Sequence, residues 1–331
     1  MIRSLYRAVL PRFIREPIRM WRYEREFHAD AEVEYYGAYR QLCAHLKVPG
    51  VPYPLRKRIN WQHGWVPDHL QEGSSDPFIT VQHLKWDDPY RFNLVARKSE
   101  EKRLHDFGVP NAMAVGLPIV YTPKRVFSRM KGSLLVMPGH SLDYISQQTR
   151  EEEYVNFLDS IRNDFTSVTV CVHPSCERNG YWIKTFRSRG YRTVTGAEIK
   201  DMDSFSLLQR YFSEHEFCTT NTTGSHVIYA SLFGCKVSVI GPEPILSLED
   251  LENSMNWSGS SDKSGLLHTY DRMAVSIFKM HYPQFFVEHP RAAGRNVDLA
   301  IYECGHDNRM TPSQFRDVVN WISRNPMTPG E

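Results

Sequence analysis

From residue 133 to residue 240 the chain alternates short apolar, β-branched runs with longer stretches whose apolar positions recur at helical spacing. Residues 133–137, 167–172, 191–195, 216–219 and 236–240 read as strands, and 151–163, 180–189, 203–213 and 224–233 as helices. Strands joined through a helix come out parallel, because the crossover carries the chain back to the edge it left. Near-continuous apolar runs mark strands covered on both faces. The expected fold class is therefore α/β, with a doubly wound parallel sheet.

Open sheets of this kind take ligands beyond the carboxyl ends of their strands. Three of those ends are polar. Leu134-Leu135-Val136-Met137 runs into Pro138-Gly139-His140-Ser141, and the run ending at Val172 stops at His173-Pro174. The run ending at Thr219-Thr220 continues as Asn221-Thr222-Thr223-Gly224-Ser225. A helix starting near Thr223 would present unpaired N–H groups and the positive end of its dipole, a setting suited to phosphate. Thr222, Thr223 and Ser225 add hydroxyl donors, and Gly224 leaves the backbone accessible. The same threonines could equally do no more than cap the helix. Pro174 restricts His173 to extended backbone, where an imidazole could offset charge on a departing nucleotide.

The first half reads as a second α/β unit, with a helix over 32–46, strands at 78–84 and 93–96, and a charged helix over 99–107. Its candidate chemistry lies in Trp61-Gln62-His63-Gly64-Trp65-Val66-Pro67-Asp68. Beside Gly64 the His63 imidazole could face a bound hydroxyl and take its proton, with Asp68 orienting it or acting as base itself. A histidine packed between two tryptophans is the structural alternative.

With 331 residues, 41% hydrophobic and 24% charged, the chain fits two folded domains. Forty basic residues against 38 acidic ones give no global pull toward nucleic acid. Six scattered cysteines without CxxC spacing point to buried thiols rather than a zinc site, and no DxD segment has a metal context. No apolar run approaches the roughly 20 residues of a membrane span, and no signal-peptide core opens the sequence, so a cytoplasmic protein is expected. Residues 1–23 stand apart: Arg3, Arg7, Arg12, Arg15, Arg19 and Arg22 face only Glu16, with apolar residues between them. Such a segment could lie on an anionic membrane surface, here the inner face of the cytoplasmic membrane. The expected organisation is thus 1–24 basic segment, 25–129 first domain, 130–290 second domain and 291–331 closing segment, with a helix from Pro312 capped by Thr311.

Two α/β units, a His-Gly segment in the first, and His-Pro plus a Ser/Thr-rich helix start in the second: this ordered set resembles the GT-B glycosyltransferases of bacterial surface and capsular polysaccharide synthesis. The resemblance implies two Rossmann-like domains facing a cleft and an inverting, metal-independent transfer from a nucleotide-activated donor. The acceptor would be a glycan or lipid-linked glycan, with no further cofactor. In the CDP-glycerol glycerophosphotransferase branch, His63 would be the base, and His173, Thr222, Thr223 and Ser225 the phosphate ligands. In the branch of sialyl- and Kdo-type transferases, His173-Pro174 and the same Thr/Ser cluster would bind CMP, with Gly139, His140 and Ser141 at the neighbouring strand end. That branch expects an acidic-acidic-glycine segment, and Gln71-Glu72-Gly73 lacks the first acid. The 305–323 tail is similar to closing segments of capsule transferases that pack back on the first domain.

Two rival readings remain. Gly139-His140-Ser141-Leu142-Asp143 is similar to the nucleophile elbow of α/β-hydrolases, with Asp143 where a small residue is needed. The third reading is a transferase-fold interaction protein without catalysis.

Overall fold

The computed structural model describes residues 32–50, 58–71, 91–139, 150–180, 182–243 and 275–324. The basic segment 1–23, the strand expected at 78–84, and His140, Ser141 and Glu72 lie outside the described residues. Strands β1 (Ile59–Trp61), β2 (Phe92–Val95) and β3 (Ala112–Ala114) form a parallel sheet in that order. Strands β4 (Met130–Val136), β5 (Ser167–Val172), β6 (Arg192–Thr195), β7 (His215–Thr220) and β8 (Lys236–Val239) form a second parallel sheet, ordered β6-β5-β4-β7-β8. Counted within that sheet the order is 3-2-1-4-5, that of a Rossmann-type nucleotide-binding sheet.

Period-2 geometry divides the central strands between two apolar layers. Leu134 and Val136 of β4, Val170 and Val172 of β5 and Phe217 of β7 pack with Tyr154, Val155, Leu158, Trp182 and Phe186. Leu135, Cys171, Cys218 and Val237 belong instead with Phe205, Leu208, Phe212, Val227 and Ile228. Helices Glu151–Ile161 and Ile183–Ser188 therefore cover one face, and Ser204–Glu214 and Ser225–Leu232 the other. The chain changes face between β6 and β7. Its connections then depart from β4 and β7 in opposite directions and leave a crevice between their carboxyl ends.

The layer over Leu135 and Cys218 also contains Leu42, Trp61, Leu94 and Phe315. The boundary expected at 129/130 thus separates the two sheets, while one apolar core runs through both halves. Helix Pro312–Arg324 closes that core, burying Phe315, Val319 and Ile322 along one stripe. Thr311 opens it through a reciprocal cap, its Oγ1 accepting from Gln314 N while Gln314 Oε1 accepts from Thr311 N. Gly305 (φ +62°) turns the chain onto the end of β2, where a Cβ would overlap the Ala96 carbonyl. Leu117 N–H donates to Cys304 O at 2.9 Å and Asn308 Nδ2 to Ala96 O at 3.0 Å, fastening the turn.

Three elements depart from sequence expectation. The helix expected over 32–46 is broken: Tyr36 is left-handed (φ 53°, ψ 15°), and the regular helix spans Ala38–Leu46. A contact distant in sequence causes the break, since Tyr36 N–H donates to Ile199 O. The helix expected over 180–189 is shortened to Ile183–Ser188, and an unexpected helix, Pro174–Asn179, precedes it, the two separated by left-handed Gly180 and by Trp182 (φ 62°). There Trp182 N–H donates to Glu151 Oε1 at 2.9 Å and its indole to Gly139 O at 2.7 Å. Strand β1, three residues long and wholly buried, is too short to carry a period, and no strand is expected there from the sequence.

Phe315 is fully buried, with ring centroids 5.4 Å from Trp61 and 5.5 Å from Tyr121. Phe315→Ala should destabilise the fold by about 3–5 kcal/mol through lost burial and a residual cavity, read as a lowered urea midpoint.

Candidate functional site at the carboxyl edges of the sheets

At the crevice between β4 and β7 the two loops are joined by a buried amide. Asn221 Oδ1 accepts from Gly139 N–H at 2.9 Å, and its Nδ2 donates to Pro242 O at 2.8 Å. Gly139 is held a second time through its carbonyl by the Trp182 indole. The N–H and the C=O of Gly139, which belong to the two peptide groups on either side of it, are thus both fixed by side chains from other connections. Asn221→Ala should leave the buried Gly139 N–H unpaired, costing about 1–3 kcal/mol, with a smaller loss at the half-buried Pro242 carbonyl, read as a lowered urea midpoint.

β5 ends in His173, whose backbone is extended (φ −63°, ψ 143°) ahead of Pro174. Its Nδ1 accepts from Ser175 N–H at 3.2 Å and lies 2.6 Å from Ser175 Oγ. A neutral imidazole accepting at Nδ1 carries its proton at Nε2, so Nε2 acts toward other groups as a donor. β5 and β7 flank β4, and their carboxyl ends stand about 10 Å apart, two strand spacings.

Helix Ser225–Leu232 begins at Ser225 with Gly224 as N-cap and no side-chain cap. Thr222 and Thr223 are therefore not the capping residues. Both are half-buried in the connection between β7 and the helix. Thr220 Oγ1 accepts from Thr222 N–H at 3.3 Å and lies 3.0 Å from His226 Nε2, which orders the turn from within. Ser225 has a different partner: its Oγ accepts from Trp65 N–H at 2.9 Å.

That bond brings the first sheet to the same place. His63 leaves the carboxyl end of β1, and its carbonyl accepts from Tyr229 OH at 2.7 Å. A Cβ added to Gly64 would stand 3.4 Å from Ser225 Oγ. The turn bearing His63 thus rests on the first two turns of the helix that starts at Ser225. Its imidazole is half-buried, with Tyr35 and Tyr36 ring centroids at 5.4 and 5.3 Å. Trp61 and Trp65, its sequence neighbours, are buried elsewhere in the core.

Asp68 belongs to another cluster. Its Oδ1 lies 3.1 Å from the Arg97 guanidinium, and Tyr302 OH donates to Oδ2 at 3.2 Å. Arg97 is 2% exposed and also pairs with Glu100 and Glu303, while donating to Val66 O. Trp65 Nε1 and Tyr282 OH donate to Glu303 at 2.7 and 2.8 Å. One guanidinium therefore ties the His63 turn, the end of β2 and helix Val297–Glu303 together. Burial raises the Glu303 pKa, and the facing Arg97 charge and the two hydrogen bonds only partly oppose it. A carboxyl whose folded pKa is raised stabilises the fold most below its unfolded value and loses that contribution as pH climbs toward the folded value. Wild-type stability relative to Glu303→Gln should therefore fall as pH rises past 4.5, the ordinary glutamate value, in urea midpoints compared at pH 4 and 7.

The cysteines stand outside this chemistry. Burial pushes the Cys171 and Cys235 thiols up to about 12 and raises Cys218 as well, so all three stay protonated. Among the described residues no group of three or more His, Cys, Asp or Glu stands together as a metal site.

No family model matches the chain, and no curated protein matches it. Among solved structures it is similar to UDP-GlcNAc 2-epimerase from Neisseria meningitidis bound to UDP-GlcNAc. The TM-score is 0.36 and the identity 11%, over 86% of this chain and 72% of that one. At that level of likeness no activity passes from one protein to the other.

Sequence reasoning missed Asn221, Ser175, Tyr36 and Arg97. A signal existed for the first two, since Asn221 follows a strand end directly and Ser175 is the first residue after His-Pro with an N–H to give. Arg97 and Tyr36 carried none, because each acts through residues distant in sequence.

Proposed function

We propose that the protein is a GT-B type glycosyltransferase that moves a sugar, or a polyol phosphate, from a nucleotide-activated donor to a hydroxyl of a surface-polysaccharide acceptor. One observation carries this reading. The 3-2-1-4-5 sheet presents His173, Gly139 and Thr222–Ser225 at one carboxyl edge, and the His63 turn from the other sheet is fastened to the same edge through Ser225 and Tyr229. In this reading the nucleotide phosphates lie over the β4–β7 crevice, facing the Thr222–Gly224 backbone and His173 Nε2–H. The His63 imidazole takes the proton of the acceptor hydroxyl. The freed oxygen attacks the donor atom on the side opposite the phosphate, and the bond to the nucleotide breaks with its electron pair leaving on phosphate oxygen. His173 and the backbone N–H groups offset that charge. Ser225 accepts from Trp65 N–H through one lone pair, and its O–H is read as a further donor to the phosphates. The donor is read as CMP- or CDP-linked from the His-Pro and His-Gly resemblance alone.

A ligand selective for the folded state must raise its stability, so a thermal-shift screen against CMP, CDP, UDP and GDP identifies the nucleotide. With that donor, His173→Ala should lower turnover roughly a hundredfold to a thousandfold, the usual cost of one charge-stabilising donor. Unchanged turnover would end the proposal.

His63→Ala should slow the chemical step about a hundredfold to ten-thousandfold while calorimetric nucleotide affinity survives, because the phosphate groups belong to the other sheet. If affinity falls with turnover, His63 is a ligand and the base lies elsewhere.

A further inference from the structure

We infer that Tyr36 is a positioning residue for His63, and that through it the connection after β6 sets the imidazole of the first sheet. The inference rests on reading His63 as the base. It starts from a backbone that no local preference explains. Tyr36 occupies the left-handed region (φ 53°, ψ 15°), which is costly for a bulky side chain and persists only where its surroundings over-determine it.

Those surroundings are explicit. Tyr36 N–H donates to Ile199 O at 2.6 Å. The next residue, Gly37 (φ +82°), sits so close to Met202 that a Cβ would overlap its carbonyl. Arg40, one helical turn on, pairs with Asp203. All three partners lie in the connection between β6 and helix Ser204–Glu214. The Tyr36 ring also meets Phe205 at 6.1 Å, at the start of that helix.

The strained turn delivers two aromatic rings to one imidazole. Tyr35 meets His63 nearly perpendicular, at 84°, and Tyr36 at 39°. Tyr36, Tyr35 and Tyr229, with Glu198 acting on Tyr36, are the titratable groups that these contacts bring to the His63 turn. Burial and the nearby Glu198 push the Tyr36 phenol up to about 12, so it stays neutral wherever a histidine titrates. A base that accepts a proton becomes a cation, and an aromatic ring within about 6 Å stabilises that cation. Tyr36 thereby orients the imidazole and raises its proton affinity. The orientation is inherited from the connection after β6, through the Tyr36–Ile199, Gly37–Met202 and Arg40–Asp203 contacts.

The test reads His63 itself and needs no substrate. In side-chain NMR spectra, with the His63 signal assigned by its loss in His63→Ala, Tyr36→Leu should shift that signal and lower its proton affinity roughly two- to fivefold. Tyr36→Phe, which keeps the ring, should leave the titration within error of wild type. Gly37→Ala, which touches neither ring, should move the same signal by displacing the turn. Should Tyr36→Leu fail to fold, the wild type decides, since the Tyr36 ring signals should inflect at the His63 titration midpoint. No inflection there, or an unmoved His63 titration in folded Tyr36→Leu, overturns the inference. Activity lost in His63→Ala with these signals uncoupled would leave the base reading standing and remove Tyr36 from it.

Discussion

Strands buried on both faces must supply alternate side chains to two different apolar layers, and the architecture here follows from that constraint. Leu134 and Val136 look one way, Leu135 the other, and the same division repeats in β5 and β7. A helix can cover only one layer, so the chain has to cross the sheet once to cover both. It does so between β6 and β7. The crossing makes β4 and β7 neighbours whose connections diverge, and divergence opens the crevice at their carboxyl ends. Asn221, Gly139, His173 and the Thr222–Ser225 turn stand along that edge as a consequence.

Among the described residues the first sheet has three strands of three or four residues, and they share their core with elements distant in sequence. Helix Pro312–Arg324 supplies Phe315, Val319 and Ile322, and the layer beneath is shared with helices Ser204–Glu214 and Ser225–Leu232. The buried Arg97 cluster adds direction to this non-directional packing. A guanidinium engaging Glu100, Glu303 and Asp68 tolerates little displacement, because an unpaired buried charge is far costlier than an imperfect apolar contact. The result holds the His63 turn against the start of the helix at Ser225, where the Ser225 and Tyr229 hydroxyls bond its backbone.

This sharing changes what a cleft between two halves means here. At Trp65–Ser225 and His63–Tyr229 the halves touch through hydrogen bonds between backbone and side chain. Ser225 joins the two halves by accepting from Trp65 N–H, and Asn221 joins two connections of the second sheet by holding Gly139 and Pro242.

The sequence by itself determined the second sheet. Its strands, most of its helices and the three polar strand ends follow from apolar runs and their spacing, because burial on two faces leaves a local imprint of short apolar, β-branched runs between helical stretches. It also marked the closing helix, whose apolar stripe and Thr311–Gln314 cap are local. Only the tertiary structure decided β1, the broken helices at Tyr36 and Trp182, the partners of Asp68 and the company of His63. Each depends on groups distant along the chain: Glu303 and Arg97 for the Asp68 neighbourhood, Ile199 for Tyr36, Glu151 and Gly139 for Trp182, Tyr35 and Tyr36 with Tyr229 for His63. A pattern read along the chain reports which face of an element is apolar. It carries no record of which distant backbone will claim an N–H, and at this site those claims set the geometry.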